Sequence, residues 1–414
     1  MLSLELALRF IIARKKSVSM SLLGIIFGVA FFVLTQAQTS GFEAFFIRTI
    51  LGANGALRVS DSFQDNVRIV QKVSEDGVTK FYFNSRVDAL YREGIDHPGL
   101  LKDALSDFPG LLGISEVVEG NGMLDSGSRK RNIEINGIEV ADHLVVSNLS
   151  EQIIQGSLDS FSQDSFGVLV GSKVFHGMNL RIGDRILLIG GPSSLRLRIS
   201  GVFESGVSQI DKKRIYLHLD TTRSFLAKRF GGAVFQIAVN SPTRAPELAS
   251  QMQALLNHRV ISWQEREQVW LDVFKALRFS SAITVSSIML LSGLGIFNVF
   301  AIMVIEKRRD IAILRSMGFT SADVAAVFLW QGGILLSAGI ILGSLFGALA
   351  TFGVTQIPLR IRGVFSTDSF VVNWDPLHYL WASLISTLFV AIATWIPARR
   401  AAKIEPAKII REVN

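Results

Sequence analysis

The sequence predicts a bundle of four transmembrane helices with a large α+β extracytoplasmic domain inserted between the first and second of them. The composition is too apolar for a wholly soluble protein, since 49% of the 414 residues are hydrophobic and only 19% are charged. Four runs lack Asp, Glu, Lys and Arg altogether: residues 17–42, 279–305, 324–359 and 376–398. Each contains the roughly 18 or more apolar residues needed to cross about 30 Å of hydrocarbon. The long charged stretch between the first two runs is the inserted domain.

The membrane spans are placed near residues 18–38, 281–305, 325–352 and 379–397. No acidic or basic side chain lies inside them, which argues against an ion or proton pathway, because such pathways place ionisable groups in the membrane. The first span has an alternative interpretation, since Lys15 and Lys16 before an apolar run are also typical of a signal peptide. Against cleavage, the apolar residues 2–12 already precede that run, and Ala37-Gln38-Thr39 is a poor cleavage site.

The distribution of charge predicts the orientation. Residues 1–16, 306–323 and 398–414 together hold 13 Lys and Arg against 6 Asp and Glu, which accounts for the whole net charge of +7. Loops rich in Lys and Arg stay on the cytoplasmic side, so these three segments and both termini are expected there. Attraction to anionic membrane lipids explains the surplus, and without a basic stripe elsewhere the chain is not expected to bind nucleic acid.

The domain between the first two spans is expected to be mixed α+β. Short β-like runs occur at residues 132–140, 167–170, 185–189, 195–203, 214–217 and 234–240, and a hairpin with an Asp-Gly turn at residues 67–83. Helical patterns occur near residues 98–107, 172–179, 220–229 and 245–256. The chain has no cysteine, so this domain depends on its hydrophobic core rather than on disulfides.

Two helical stalks are expected to extend the first and second spans beyond the membrane. The first keeps helical apolar spacing over residues 42–51 and is predicted to break at Gly52. The second, residues 263–278, places an apolar stripe on one helix face, and we expect that stripe to be packed. The stripe is formed by Val269, Trp270, Val273, Phe274 and Leu277.

Small residues recur at four-residue spacing in two spans. This spacing lets helix backbones approach closely, either within one chain or against a second permease chain, and the pattern alone does not choose between them. The residues concerned are Gly24, Gly28, Gly339, Gly343 and Gly347.

No pattern of residues indicates catalysis. The six histidines stand singly without a His-x-x-x-His pair, so we expect no metal site. The chain has neither a phosphate-binding Gly-x-x-x-x-Gly-Lys-Ser/Thr loop nor a Gly-x-Ser-x-Gly nucleophile turn. We expect a non-catalytic chain that binds no cofactor of its own.

The segment between the second and third spans, residues 306–323, is called the connecting segment below. It reads as a short helix closed by Gly318, followed by a new helix capped by Thr320 with Asp323 at its third position. Ile311, Leu314 and Met317 are expected to expose an apolar surface on that short helix. Such a helix suits contact with a soluble partner, and a plain connector explains it equally well on physical grounds.

Two sequence motifs favour contact with a soluble partner over a plain connector. EKRRDIAILRSMG at residues 306–318 and PARRAAKIEPA at residues 397–407 resemble the loop and the C-terminal tail of FtsX-like ABC permeases. Within that family, the likeness is to the lipoprotein-releasing LolC/LolE permeases, and it rests on residues 298–304, 330–332, 170–171, 180–184 and 201–203, with Asp211. The resemblance implies that the connecting segment docks on a separate ATPase subunit, through residues Glu306, Lys307, Arg308, Arg309, Asp310, Ile311, Leu314, Arg315, Met317 and Gly318.

The resemblance also implies an organisation along the whole chain, in the inner (cytoplasmic) membrane of a bacterium. An amphipathic N-terminal helix (1–16) precedes the first transmembrane helix and stalk (17–52), a periplasmic domain (53–262), and the second stalk and transmembrane helix (263–305). The connecting segment (306–323), a third helix (324–357), a periplasmic loop (358–376), a fourth helix (377–397) and a cytoplasmic tail (398–414) follow.

The implied partners are an ABC ATPase subunit that holds ATP and Mg, a second permease copy or paralogue, and a lipoprotein or other amphiphilic cargo. A periplasmic carrier is also implied, but the loop at residues 190–195 is shorter than the carrier-binding insertion of that subgroup. Two functions stay open. One is release of lipoproteins or export of another amphiphile, and the other is mechanical regulation of a periplasmic hydrolase or sensor.

Overall fold

The structure is a computed structural model. It describes residues 2–13, 15–61, 70–75, 78–83, 95, 98–106, 108–190, 193–227, 233–256, 258–357 and 369–404. The chain forms two compact units. One comprises Met1–Ala44, Asp272–Leu359 and Asp368–Asn414, and the other comprises Phe45–Leu271 and Arg360–Thr367. We call them the helical unit and the α+β unit.

The bounds of the helices and strands follow the chain. The helices are α1 (Leu2–Ala13), α2 (Lys15–Asn54), α3 (Pro98–Ser106), α4 (Val140–Val146), α5 (Leu149–Gln152), α6 (Leu158–Gln163), α7 (Ser172–Met178), α8 (Ser208–Lys213), α9 (Leu219–Phe225), α10 (Ala245–Leu255), α11 (Trp263–Arg266), α12 (Gln268–Glu306), α13 (Arg308–Ser316), α14 (Ser321–Thr355) and α15 (Pro376–Ala402). The strands are β1 (Leu57–Ser60), β2 (Val70–Glu75), β3 (Val78–Phe83), β4 (Leu111–Asp125), β5 (Lys130–Ile138), β6 (Ile153–Gly156), β7 (Gly167–Gly171), β8 (Arg185–Gly190), β9 (Ser193–Phe203), β10 (Arg214–His218), β11 (Ala233–Val239) and β12 (Arg259–Ser262).

Four helices are long and apolar enough to cross a membrane: α2, α12, α14 and α15. They contain the four predicted spans. At 40 and 39 residues, α2 and α12 are about 60 Å long, roughly twice the hydrocarbon thickness, so each continues well beyond its span. The predicted break at Gly52 is wrong, because α2 runs to Asn54 and turns at Gly55, whose φ of +66° is accessible to glycine without strain.

The helical unit is held together by side chains from its membrane helices. Ile25, Val29 and Val33 of α2 are almost fully buried in one cluster with residues of α12, α14 and α15. The N-terminal helix α1 contributes Ala7, which is fully buried, and the side-chain amide of Gln331 lies 3.5 Å from the Ala7 carbonyl. Gln36 likewise donates across helices to Ser281. These two polar side chains of the membrane helices are buried, whereas that of Asn298 on α12 is exposed.

The small-residue stripes lie against helices of the same chain. A Cβ at Gly339 would fall 2.5 Å from Ile25 Cγ2, and one at Gly343 only 2.7 Å from Val29 Cβ. Neither position has room for a side chain, so α2 and α14 pack with their backbones close together. The glycines of α2 approach α12 in the same way, with Gly24 beside Ser292 and Gly28 beside Met289.

The α+β unit is built on a ten-stranded mixed sheet in the order β12-β1-β11-β4-β5-β10-β7-β9-β6, with β8 pairing β4 and β9. β5 with β10 and β7 with β9 are parallel pairs, and the other pairs are antiparallel. Two hydrophobic cores cover it. One contains Leu57, Phe235 and Trp263, and the other contains Ile135, Val170 and Leu217.

The predicted strands at residues 132–140, 167–170, 185–189, 195–203, 214–217 and 234–240 coincide with β5, β7, β8, β9, β10 and β11 to within two residues. The predicted hairpin at residues 67–83 corresponds to β2 and β3, which pair antiparallel. Its Asp-Gly turn lies outside the described residues. Four strands, β1, β4, β6 and β12, and the short helices α4, α5, α6 and α8 were not predicted from the sequence.

Candidate functional site

The connecting segment forms a short, largely helical connection between two membrane helices. Helix α12 ends at Glu306, α13 spans Arg308–Ser316, and the chain turns at Gly318, whose φ is +100°. Helix α14 then begins behind Thr320, whose hydroxyl accepts from the Asp323 N–H while the Asp323 carboxylate accepts from the Thr320 N–H at 2.9 Å. This reciprocal capping box fixes the start of α14 just after the turn at Gly318.

One face of α13 is buried in the helical unit. Ile311 and Ala312 are 2% and 1% exposed, and Ile311 belongs to the same hydrophobic cluster as the membrane helices. The expectation that Ile311 exposes apolar surface is therefore wrong. In a helix this short, the spacing of apolar residues does not show which of them pack against the membrane helices. In the structure it is Ile311 that attaches α13 to them.

The opposite face of α13 is exposed and carries both cations and apolar side chains. Arg309, Ile313 and Met317 lie four residues apart along this face. Ile313 is 45% exposed and Met317 is 74% exposed. We call these three residues the outer face of α13. Ile313 was not among the predicted residues, although its spacing from Arg309 and Met317 would have identified it. Leu314 is only half-buried, between the two faces.

The remaining predicted residues brace the segment or lie in solvent. Arg315 reaches the end of α15, where its guanidinium donates to the carbonyl of Ala402 at 3.3 Å and to that of Ile404. Cations favour helix C-termini because the last carbonyls lack partners within the helix. Lys307 forms an ion pair with Asp310 at 2.7 Å. Glu306, Arg308 and Gly318 are exposed. The structure thus brings the loop motif and the tail motif together at Arg315.

The stalk portion of α12 is only partly packed. Trp270 lies against Phe46 with ring centroids 5.6 Å apart, and Phe274 is 5% exposed. Val269, Val273 and Leu277 are 76%, 42% and 52% exposed. The expectation that all five side chains pack is therefore wrong, because an apolar stripe this wide exceeds what one neighbouring helix covers. The chain presents an exposed apolar row along α12.

Family models match most of the chain in two blocks. The model described as the MacB-like periplasmic core domain matches residues 18–255, and the model described as the FtsX-like permease C-terminal matches residues 282–406. The first alone covers more than half of the chain. The chain therefore belongs to the FtsX-like permease family, with a MacB-like periplasmic core domain.

Curated relatives agree with this assignment. The permease is 24% identical to the lipoprotein-releasing system transmembrane protein LolC of Xylella fastidiosa, over 99% of this chain and 98% of the relative. It is 22% identical to LolE of Haemophilus influenzae, over 76% of this chain and 81% of the relative. It is 25% identical to the macrolide export ATP-binding/permease protein MacB of Psychrobacter arcticus, over 74% of this chain but 47% of the relative. The chain is a multi-pass ABC transporter permease of the LolC, LolE and MacB type.

Within the described part of the permease, no three His, Cys, Asp or Glu side chains converge as a metal site would require. His143 is fully buried, with its Nδ1 3.0 Å from Ser115 Oγ. Burial, together with the charge of Arg214, lowers the pKa of His143 to about 3. The imidazole is therefore neutral at every physiological pH and contributes to the core rather than to proton transfer.

One carboxylate of the α+β unit is unusual. Asp211 is fully buried, and its Oδ1 accepts hydrogen bonds from the Ser205 N–H at 2.8 Å and the Ser205 hydroxyl at 2.7 Å. Burial raises the pKa of Asp211 to about 6, against the opposing effect of those hydrogen bonds. The turn that Asp211 holds passes α2, since a Cβ on Gly206 would lie 3.3 Å from Thr49 Cγ2. Asp211 thus shapes a loop beside the first stalk.

Proposed function

We propose that this permease couples ATP hydrolysis on a separate subunit to movements of its periplasmic domain, and that the cargo it releases from the inner membrane is a lipoprotein. In this proposal ATP and Mg bind the partner ATPase, and this chain is non-catalytic. A second permease copy or paralogue completes the transporter. Both termini and the connecting segment face the cytoplasm.

The observation that carries the proposal is the outer face of α13. A helix that docks on a partner and transmits force needs an accessible contact surface and a firm attachment to its own membrane helices. Arg309, Ile313 and Met317 supply the surface, because exposed apolar side chains beside a cation are typical of interface anchors. Ile311 and Arg315 supply the attachment, one through the buried cluster and one through the carbonyls at the end of α15.

A lipid-anchored cargo is supported by the exposed row on α12. Val273 and Leu277 lie outside the predicted span, where water would otherwise face them. Exposed apolar rows of this kind mark contact with another protein or with an amphiphile. Lipoprotein release in particular is supported by the likeness to LolC over nearly the whole of both chains.

A mechanical regulator of a periplasmic hydrolase or sensor is the second candidate. The packing of Trp270 on Phe46 favours it, since these residues lie on the two stalk helices. A regulator needs stalk helices that move together, whereas a cargo site needs a gap between them. The short β8–β9 connection also favours it, because Gly190 pairs with Ser193 and leaves little chain for holding a carrier. Export of another amphiphile would use the same exposed row as lipoprotein release.

ATP hydrolysis by the purified complex distinguishes these functions. The permease with its ATPase is reconstituted in nanodiscs, and turnover is measured with a lipoprotein and with the same protein lacking its acyl chains. We expect stimulation by the acylated form alone. Equal turnover in both cases would refute lipoprotein release and leave regulation.

A second measurement locates the cargo. Because the chain has no cysteine, Val273→Cys introduces a single thiol on the exposed row. We expect a maleimide to label it in the complex without cargo and the acylated lipoprotein to protect it. Phe274→Cys, one residue along but buried, is the matched control and should label slowly in both states. Labelling of Val273→Cys that cargo leaves unchanged would contradict the placement.

A further inference from the structure

A basic cleft opens where three elements of the helical unit meet. It has a volume of about 770 Å³ and is lined by the end of α13, the start of α14 and the end of α15. The lining residues, called the basic cleft below, are Arg315, Ser321, Arg399, Ala402 and Lys403. Three of the five are cations, and no described acidic side chain forms an ion pair with any of the three.

The cations of the basic cleft differ in what they already bind. Arg315 is committed to the carbonyls of Ala402 and Ile404. Arg399 lies over the Trp395 ring, with its guanidinium carbon 4.0 Å from the ring centroid. Stacking of this kind holds a guanidinium in place while leaving the N–H groups at its edge available for an anion. Lys403 is exposed at the end of α15. The cleft therefore offers positioned donors for an anionic ligand.

The helix that carries two of these cations also carries an apolar row leading to them. Leu388, Ile392, Trp395 and Ile396 follow one face of α15 at helical spacing and are 59%, 51%, 48% and 38% exposed. Arg399 and Lys403 continue the same face by three and four residues. Tryptophan at the end of a membrane helix marks the level of the lipid headgroups. Along this face, apolar side chains suited to hydrocarbon are followed by the Trp395 ring at headgroup level and then by the cations Arg399 and Lys403.

We infer that the basic cleft binds the headgroup of an anionic phospholipid whose acyl chains lie along this face of α15. A soluble anion would use the cations but not the apolar row, whereas a phospholipid matches both. Basic pockets between membrane helices bind anionic headgroups in this way. This lipid site goes beyond the proposed function. Because Arg315 of α13 lines the cleft, the bound headgroup would lie next to the end of α13.

The test is lipid retention by the full-length permease, which needs no ATPase. The protein is purified from membranes containing phosphatidylglycerol and phosphatidylcholine, and bound lipids are identified by native mass spectrometry. We expect selective retention of phosphatidylglycerol by the natural chain and about thirtyfold weaker retention by the R399Q/K403Q variant. Each cation near an anionic surface contributes roughly a fivefold factor. The variant keeps Arg315 and the capping box, and its thermal unfolding in phosphatidylcholine nanodiscs should match that of the natural chain.

The matched control removes two other cations near the membrane. Lys15→Gln with Lys16→Gln changes the net charge equally, and both side chains are exposed. This control should retain phosphatidylglycerol as the natural chain does. If both double variants lost phosphatidylglycerol equally, the retention would come from general electrostatic attraction to the basic surface and not from the basic cleft. Displacement of the lipid by inorganic phosphate would assign the cleft to a soluble anion. Unchanged lipid retention by R399Q/K403Q would show that the cleft does not hold the lipid, and loss of ATPase copurification with that variant, measured separately, would assign the cleft to an acidic protein segment. Each of these results overturns the inference.

Discussion

Neighbouring side chains of the connecting segment point in opposite directions and do different things. Ile311 and Ala312 enter the core of the helical unit, while Ile313 and Met317 remain in solvent. Arg315 contacts the end of α15, 87 residues further along the chain at Ala402. A change at one position can therefore alter docking, and a change at the next can alter folding.

Met317→Asp should uncouple the ATPase without unfolding the permease. Met317 is 74% exposed, so a carboxylate there costs the chain little, but in an interface it would be buried without a partner. We expect affinity for the ATPase to fall at least about thirtyfold, as for a central interface residue. Copurification and coupled ATP hydrolysis measure this.

The control for Met317→Asp is Leu255→Asp, since Leu255 of the α+β unit is equally exposed at 74%. It should leave ATPase binding intact. Normal coupling in Met317→Asp would contradict the placement of the outer face of α13. Leu314→Asp is less informative, because Leu314 is half-buried and its change also affects folding.

Asp211 should make the stability of the α+β unit depend on pH. Its folded pKa, about 6, lies above the ordinary value of 3.8, so its stabilising contribution is complete below pH 3.8 and is lost as the pH rises through 6. Asp211→Asn keeps an acceptor for Ser205 and removes the cost of ionisation. We expect it to gain up to about 3 kcal/mol at pH 8 and little at pH 4.

Thermal unfolding of the full chain in detergent between pH 4 and pH 8 checks this expectation. Asp103→Asn removes an exposed carboxylate and serves as the reference. Parallel stability curves for the natural chain and Asp211→Asn would show that the nearby Lys173 offsets the burial of Asp211. The prediction would then be wrong.

Helix packing in the helical unit depends on the close approach of the α2 and α14 backbones. The glycines of α14 that face α2 have no space for a side chain, whereas a Cβ added at Gly333 on the same helix would meet no atom within 4 Å. One helix therefore contains both glycines that the packing requires and a glycine that it does not. This contrast allows a test within a single element.

Gly343→Ala should destabilise the helical unit by about 1–3 kcal/mol, the usual cost of overpacking. The added Cβ would lie 2.7 Å from Val29 Cβ and 3.0 Å from the Ile26 carbonyl oxygen, and backbone cannot retract as a side chain can. Unfolding in detergent mixtures measures the effect. Gly333→Ala should be neutral or slightly stabilising, and equal destabilisation by both variants would contradict close packing at Gly343.

The whole molecule is organised by where its charge lies. Three segments carry the entire excess of +7, and the structure brings two of them, the connecting segment and the start of the tail, into contact at Arg315. Anionic lipid on one side of the membrane would stabilise this arrangement. The proposed orientation and the proposed lipid site therefore depend on the same charge.

Single cysteines test the orientation. Ser316→Cys in the connecting segment and Ser128→Cys in the α+β unit are both exposed, and the chain has no other thiol. A membrane-impermeant maleimide applied to cells with a permeabilised outer membrane should label Ser128→Cys alone. Disruption of the inner membrane should then expose Ser316→Cys. Labelling of Ser316→Cys before disruption would reverse the orientation.

The sequence alone was enough to predict the four membrane helices and most strands of the α+β unit. Long charge-free runs have one stable solution in lipid, a helix that satisfies its own backbone hydrogen bonds. Short, nearly continuous apolar runs were equally clear in β7, β10 and β11. The two motifs of the connecting segment and the tail also pointed to the FtsX-like family without structural information.

Tertiary structure decided what local pattern could not. Strand β4 was missed because Gly113, Gly120 and Gly122 weaken its pattern, although in the fold Gly120 lies directly beneath Leu226, whose Cδ1 would be 2.4 Å from an added Cβ. Spacing identified α13 but not its buried face, because burial depends on helices distant in sequence. The pairing of Arg315 with the end of α15 and the stacking of Arg399 on Trp395 likewise required the fold, which brings residues 315 and 399–404 together.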